Sequence, residues 1–206
     1  MEQRTDSWFE ARLGRATASN FGKVLGKVLA KIKTGEAADR RNYRAQLVIE
    51  RLTGNRQEGY SNAAMQWGTE QEPFARIAYM ADRGVDVQEI GFIQHETLMA
   101  GCSPDGLIGA DGLIEIKCPV SATHIETLKT QHMPLEHMPQ VQGQMWIAGR
   151  EWCDFVSYDP RMPEKLQMFV QRIPRDEQYI KALAFEIERF LEEVAAEVTA
   201  LQKIAA

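Results

Sequence analysis

The spacing of apolar and polar positions divides the chain into a helical opening, a middle of short strands and a long amphipathic helix at the end. Asp6 is placed to cap a short helix through Ser7 to Leu13 that Gly14 ends, and Thr17-Ala18-Ser19-Asn20 reads as the start of a second helix carrying Phe21, Val24 and Leu25. A loop is expected from Lys31 to Ala38. From Asp39 to Thr53 the apolar residues Tyr43, Leu47, Val48 and Leu52 recur at helical spacing, and Gly54 supplies a stop. Gln66 to Glu72 leads into a further helix, with Glu72 at its start, Pro73 in its first turn and Phe74, Ile77, Ala78 and Ala81 as its apolar face.

Beyond that point the period shortens. Val85 to Phe92, Leu98 to Ser103, Leu107 to Ile108, Leu113 to Ile116 and Cys153 to Tyr158 read as strands, with a helix through Met138 to Trp146 between the last two. From Asp176 onward Ile180, Leu183, Ile187, Leu191, Val194, Val198 and Leu201 fall three and four apart, which predicts one helix over about 176–203. Helices, then mostly antiparallel strands, then a crossover helix and another strand describe an α/β fold with a central mixed sheet flanked by helices. With 206 residues, 44% hydrophobic and 26% charged, a single domain over 1–206 is expected.

The candidate chemistry lies among the strands. Cys102-Ser103-Pro104-Asp105-Gly106 is followed ten residues after the aspartate by Glu115-Ile116-Lys117. Residues two apart on a strand share a face, so Glu115 and Lys117 project together while Ile114, Ile116 and Cys118 face the other way. Between them, two apolar runs surround a Gly/Asp-Gly cluster, a hairpin signal that folds Asp105 back toward Glu115. Two carboxylates at that distance repel unless they share a cation, and hard oxygen ligands favour Mg²⁺. A metal that acidifies water, beside a lysine that orients the nucleophile, is the chemistry of phosphodiester hydrolysis. For the triplet alone an exposed Glu/Lys strand face that is only solvated surface is the better account, and the hairpin, the Pro104-Asp105 lead-in and the apolar alternate face bring the two readings level.

Charge adds a second strand of argument. The net charge of -5 is unevenly distributed: residues 1–60 hold 12 Lys and Arg against 7 Asp and Glu, and the remaining 146 hold 12 against 22. Lys23, Lys27, Lys31, Lys33, Arg40, Arg41 and Arg44 form a basic run able to follow a phosphate backbone, although solvated side chains explain it as well. Glu72 reads either as a helix-start charge or as a further site carboxylate. His137, Gln140 and Gln144 share a face opposite Val141 and Met145, which a solvent-facing polar stripe explains as readily as a site. His95, His124, His132 and His137 lack metal-ligand spacing and are expected at the surface or satisfied in the core.

Three cysteines without Cys-x-x-Cys disfavour a disulfide framework, a zinc ribbon and an iron-sulfur cluster, and Cys102 and Cys118 are expected as small buried hydrophobes. There is no P-loop and no Gly-x-Ser-x-Gly. No apolar run approaches the length of a membrane span and the first residues lack the core of a signal peptide, so a cytoplasmic location is expected.

Several segments together resemble the lambda-exonuclease, or YqaJ-type, viral recombinase exonucleases of the PD-(D/E)xK nuclease superfamily. They are Trp8 with Arg12-Leu13-Gly14 and Thr17-Ala18-Ser19; Trp67-Gly68 with Glu72; Cys102 to Gly106; Glu115 to Pro119; Gln140-Val141-Gln142 with Met145-Trp146; and Tyr158 to Met162. They occur in the family's order and span nearly the whole chain. The resemblance implies a restriction-endonuclease-like core and a processive 5′-to-3′ exonuclease on linear duplex DNA that leaves 3′ single strands for recombination. It implies a ring of three subunits, a single-strand annealing protein as partner, and a phage or prophage origin in the bacterial cytoplasm. It further implies two Mg²⁺ ions per site, replaceable by Mn²⁺, on Asp105, Glu115 and the Ile116 main-chain carbonyl, with Lys117 serving the attacking water and Glu72 as a further acidic residue. Arg12, Ser19, Ser103 and Gln140 fall where the family gathers the 5′-phosphate. The Lys23 to Lys33 stretch departs from the family pattern, and Met65 stands where another apolar residue precedes the Trp-Gly pair, as a softer strand-separating wedge. A restriction-type or structure-selective endonuclease and a non-catalytic DNA-end-binding protein are the alternatives on the same core.

Overall fold

The computed structural model describes residues 2–26, 37–57 and 62–205. Lys27, Lys31 and Lys33, and all but the last two residues of the loop expected from Lys31 to Ala38, lie outside them.

The first helix, α1 (Asp6–Arg12), starts after Thr5, so Asp6 is an acidic first-turn residue and not the cap. Gly14 follows at φ 66°, pressed so close to the next long helix that an added Cβ would lie 2.8 Å from the Arg51 Cγ. Ala16–Thr17 forms strand β1 instead of opening a helix, and the Thr17 N–H donates to the Tyr43 hydroxyl at 2.9 Å. A 3₁₀ turn at Ala18–Asn20 then leads into α2 (Phe21–Leu25). In α3 (Ala38–Thr53) Tyr43, Leu47 and Val48 are buried as expected, but Leu52 is 40% exposed and Glu50 is buried in its place. The reason is polar: Glu50 accepts from the Gly14 N–H at 2.9 Å and from Gln46 at 2.9 Å, which turns positions 43, 47 and 50 inward as one stripe.

Helix α4 (Ala63–Arg83) begins earlier than the pattern predicts because Asn62 caps it, its side chain accepting from the Met65 N–H at 2.9 Å. Pro73 and Glu72 therefore stand in mid-helix. The expected apolar face is also turned: Phe74 and Ile77 are 59% and 65% exposed, and Ala75, Arg76 and Tyr79 are buried. Tyr79 donates to Asp154 at 2.6 Å, and Arg76 pairs with Glu72 at 3.0 Å and Glu89 at 2.6 Å, so partnered polar groups occupy the inner face.

In the expected Val85 to Phe92 strand only an isolated bridge, Gln88 to Leu107, is found; the paired residues are β2 (Ile93–Gln94) and β3 (Ala100–Cys102). β1 and β2 flank β3, parallel and antiparallel respectively. The predicted hairpin is present as β4 (Gly106–Ile108) and β5 (Gly112–Lys117), turning through Gly109 at φ 54°. Next come α5 (Ser121–Thr130), which the pattern does not predict, and α6 (Met138–Ala148). β6 (Trp152–Tyr158) pairs parallel to β5, and a further strand, β7 (Met168–Pro174), pairs antiparallel to β6 along its whole length. The chain then enters α7 (Glu177–Ile204), capped by Asp176, which accepts from the Tyr179 N–H at 2.9 Å.

The mixed sheet β4-β5-β6-β7 lies between two layers. Ile114, Ile116, Cys118 and Val156 pack toward α4, while Leu113, Cys153 and Phe155 pack with Val141 and Met145 of α6. A third apolar cluster joins α2, α3 and α7 to the small sheet, with Tyr43 and Phe190 stacked at 5.6 Å. There the basic run is partly neutralised: Arg40 grips Glu193 through two bonds of 2.7 and 2.8 Å, and Arg44 reaches Glu193 and Glu197. These two arginines serve the α3–α7 seam. Among the described residues no helix is long and apolar enough to cross a membrane.

Candidate active site

The β4–β5 hairpin sets the first carboxylate. Gly106 pairs with Ile114, the Asp105 N–H donates to the Ile114 carbonyl at 3.1 Å, and the Asp105 Oδ2 accepts from the Ile116 N–H at 2.6 Å. One residue along, Glu115 projects from the middle of β5 toward α6 and is 2% exposed. Its Oε1 accepts from Lys117 Nζ and from Gln140 Nε2, each at 2.6 Å, and its Oε2 accepts from Gln144 Nε2 at 2.6 Å. Gln140 in turn accepts from Lys117 at 3.1 Å. The glutamine stripe of α6 therefore faces the site and not solvent.

The electrostatics are out of balance in one direction. Burial, and after it the neighbouring Glu115 and Glu72, holds the Asp105 carboxyl well above its ordinary range, against the smaller pull of Lys117 and the Ile116 N–H. Burial alone would lower Lys117, but Glu115 and Asp105 outweigh it and keep the ammonium above its ordinary value. With Glu72 held by Arg4 and Arg76, one ammonium faces the two carboxyl groups of Asp105 and Glu115. A divalent cation suits that deficit, and Asp105, Glu115 and the Ile116 carbonyl offer the hard oxygen donors that Mg²⁺ prefers while leaving positions for water and phosphate. Among the described residues no group of three or more His, Cys, Asp or Glu side chains converges on a point where they alone could hold an ion. Glu72 lines the same cleft, with Oε2 on Arg4 at 2.6 Å and Oε1 on Arg76 at 3.0 Å.

Arg12, Ser19, Met65, Ser103 and Gln140 open into this cleft of about 620 Å³ together with Asp105, Glu115 and Lys117. The Ser103 hydroxyl accepts from Trp8 Nε1 at 2.9 Å and from Arg12 Nη1 at 3.3 Å, and the Arg12 guanidinium lies 4.0 Å over the Trp8 ring. Burial pushes the Arg12 pKa down, yet a guanidinium remains charged at any working pH. Among the described residues no carboxylate is hydrogen-bonded to it, and it lines the cleft. Met65 stands 54% exposed on the cleft's rim.

Several contributors escape a reading of the sequence. Trp8 was visible only as part of a longer motif, although an aromatic four residues before Arg12 on one helix is a stacking signal. Arg4 and Gln144 carried no signal beyond charge and helical spacing. His137 stacks on Phe155 at 5.4 Å, and burial, with Lys117 nearby, pushes its pKa down to about 4, so it stands neutral at pH 7. His124 is a satisfied core residue, bonded to the Ser157 hydroxyl and the Leu166 carbonyl at 2.8 Å each. All three cysteines are free and buried.

Comparison with known proteins identifies the family and the fold. Residues 7–151 match the YqaJ-like viral recombinase domain. The chain is 48% identical to LHK-Exo, an alkaline exonuclease from Laribacter hongkongensis, with 98% of both chains covered. The TM-score is 0.90 to its complex with dAMP and 0.88 to a second structure of that protein. A phage-related exonuclease from Haemophilus somnus 129PT shares the fold at 15% identity, with 91% and 96% of the chains covered and a TM-score of 0.68. Comparison with curated proteins finds no match.

Proposed function

Because the chain belongs to the YqaJ-like viral recombinase family, we propose that it is a Mg²⁺-dependent exonuclease that digests one strand of linear duplex DNA from its 5′ end. The observation that carries this reading is one cleft holding both an acidic strand with a lysine and an arginine to which, among the described residues, no carboxylate is hydrogen-bonded.

Asp105, Glu115 and the Ile116 carbonyl would hold the ion, with Mn²⁺ able to replace it. When bound, Mg²⁺ supplies Lewis acidity toward the scissile phosphate and lowers the pKa of water. Lys117, whose ammonium form its carboxylate neighbours favour, would donate to the attacking water, orient it, and offset charge growing on the phosphate oxygens. Arg12, Ser19, Ser103 and Gln140 form the pocket for a terminal 5′-phosphate. A terminal phosphate is nearly a dianion while an internal diester is a monoanion, so a guanidinium fork held by Trp8 favours ends. Met65 at the rim would part the strands. Repeated cuts at one strand leave a 3′ single strand, the substrate of an annealing protein, and a ring of three subunits around the duplex would make digestion processive.

The test is digestion of end-labelled linear duplex beside a covalently closed circle, with Mg²⁺ and Ca²⁺ arms. Release of mononucleotides from 5′ ends in Mg²⁺ only, with the circle intact and Lys117→Ala inert, is the expected result. A nicked or linearised circle points to an endonuclease on the same core. Binding of ends in Ca²⁺ with no digestion in Mg²⁺ or Mn²⁺ points to an end-binding protein.

A further inference from the structure

Gln144 lies one helical turn beyond Gln140 on α6 and is 1% exposed. Its Nε2 donates to the Glu115 Oε2 at 2.6 Å, while its Oε1 is buried with no hydrogen-bond partner among the described residues. The reverse amide orientation would set Oε1 against Oε2, acceptor on acceptor, so the amide's direction is dictated by the carboxylate. A buried acceptor without a donor is costly, and the arrangement stands only if the contact on the other side of the amide outweighs it. Gln140 holds the opposite oxygen of Glu115 but is half-exposed and lines the cleft, where it can also meet substrate. Gln144 does not line the cleft and touches the reaction only through Glu115.

We infer that Gln144 is a positioning residue that fixes the orientation of the Glu115 carboxylate and so presents it as a ligand for the ion. The inference rests on the metal-dependent reading above. With both oxygens of Glu115 bonded to amides one turn apart on a single helix, the carboxylate plane cannot rotate without breaking a bond. Removing Gln144 frees that rotation and leaves Oε2 buried without its donor. Outer-shell partners of this kind change metal affinity by about 10- to 100-fold when replaced.

The experiment compares the parent protein with Gln144→Met, which has similar length and no donor. Mg²⁺ alone is titrated calorimetrically without DNA, and steady-state digestion is measured across a Mg²⁺ series. The expected result is about 10- to 100-fold weaker Mg²⁺ binding, a matching rise in half-saturating Mg²⁺, recovery of kcat at high Mg²⁺, and an unchanged KM for DNA ends. Gln144→Asn, which keeps the amide but draws it back by one methylene, tests the same contact if the methionine variant does not fold. A folded variant that binds Mg²⁺ within about twofold of the parent overturns the role of Gln144 while leaving the proposed function standing. A parent that takes up no Mg²⁺ overturns the metal reading itself, and this inference with it.

Discussion

Glu115 lies almost out of reach of water, yet both of its oxygens are held by donors from β5 and α6, so burial leaves neither without a hydrogen-bond partner. Arg12 is the opposite case, a half-buried cation with a hydrogen bond to a serine and its face on Trp8. Among the described residues no carboxylate is hydrogen-bonded to it, and under the proposed function a 5′-phosphate would take that place. Arg12→Ala should therefore lower the preference for a 5′-phosphate over a 5′-hydroxyl duplex by about 10- to 100-fold, the range set by about 1.5–3 kcal/mol for hydrogen bonds to a charged group. Competition between the two labelled ends measures it, and an unchanged ratio removes Arg12 from the pocket. At this scale Asp105, Glu115 and Lys117 were legible because strand alternation and a tight hairpin are local properties of a dozen residues. Gln144 was not, because a glutamine at helical spacing looks the same whether its face meets solvent or a sheet.

Asp159 shows how one element is tied to the next. It follows β6, is fully buried, and accepts from the Arg161 N–H, Nε and Nη2 at 3.0, 2.7 and 3.0 Å. Burial would raise its pKa, but bonds from Arg161 and from Ser121 at the start of α5 outweigh that and hold it at about 2. A carboxyl depressed on folding contributes stability that is full above its unfolded value near 3.9 and fades as pH falls through 2. Asp159→Asn should thus cost about 2 kcal/mol at pH 7, with the gap to the parent narrowing between about pH 5 and 2. Urea unfolding across that range reads it, and a gap that stays constant with pH would assign the effect to shape instead of charge. Elements with a strong period and a clear cap, α3 and α7, were legible to within a residue or two. β7 was not, because it feeds residues to both faces of the sheet: Phe169 and Ile173 go to one core, Met168 and Val170 to the other. α4 misled because its apolar side, Phe74 and Ile77, is the exposed one.

At the scale of the whole molecule, the four-stranded sheet presents the acidic hairpin from one direction and α1 with the small sheet brings Arg12 and Ser103 from another, so the cleft exists only where they meet. Under the proposed function, processive digestion by so small a chain would need a way to stay on its track, and closure of three copies around the duplex would provide one. Sedimentation should accordingly find a particle three times the 23.3 kDa chain; a monomer that still digests processively would require another basis for retention. The distances between Arg12, Ser103, Asp105 and Gln140 along the chain explain the division of what could be read. By itself the sequence determined the hairpin, the shared face of Glu115 and Lys117 and the long final helix, since each depends on residues within a turn or a strand of one another. Only the tertiary structure decided that α6 turns its glutamines onto Glu115, that α4 buries Arg76 and Tyr79 and exposes Phe74, and that Arg40 and Arg44 bind α7. Those outcomes follow from which partners can satisfy a buried polar group, and the partners come from distant parts of the chain.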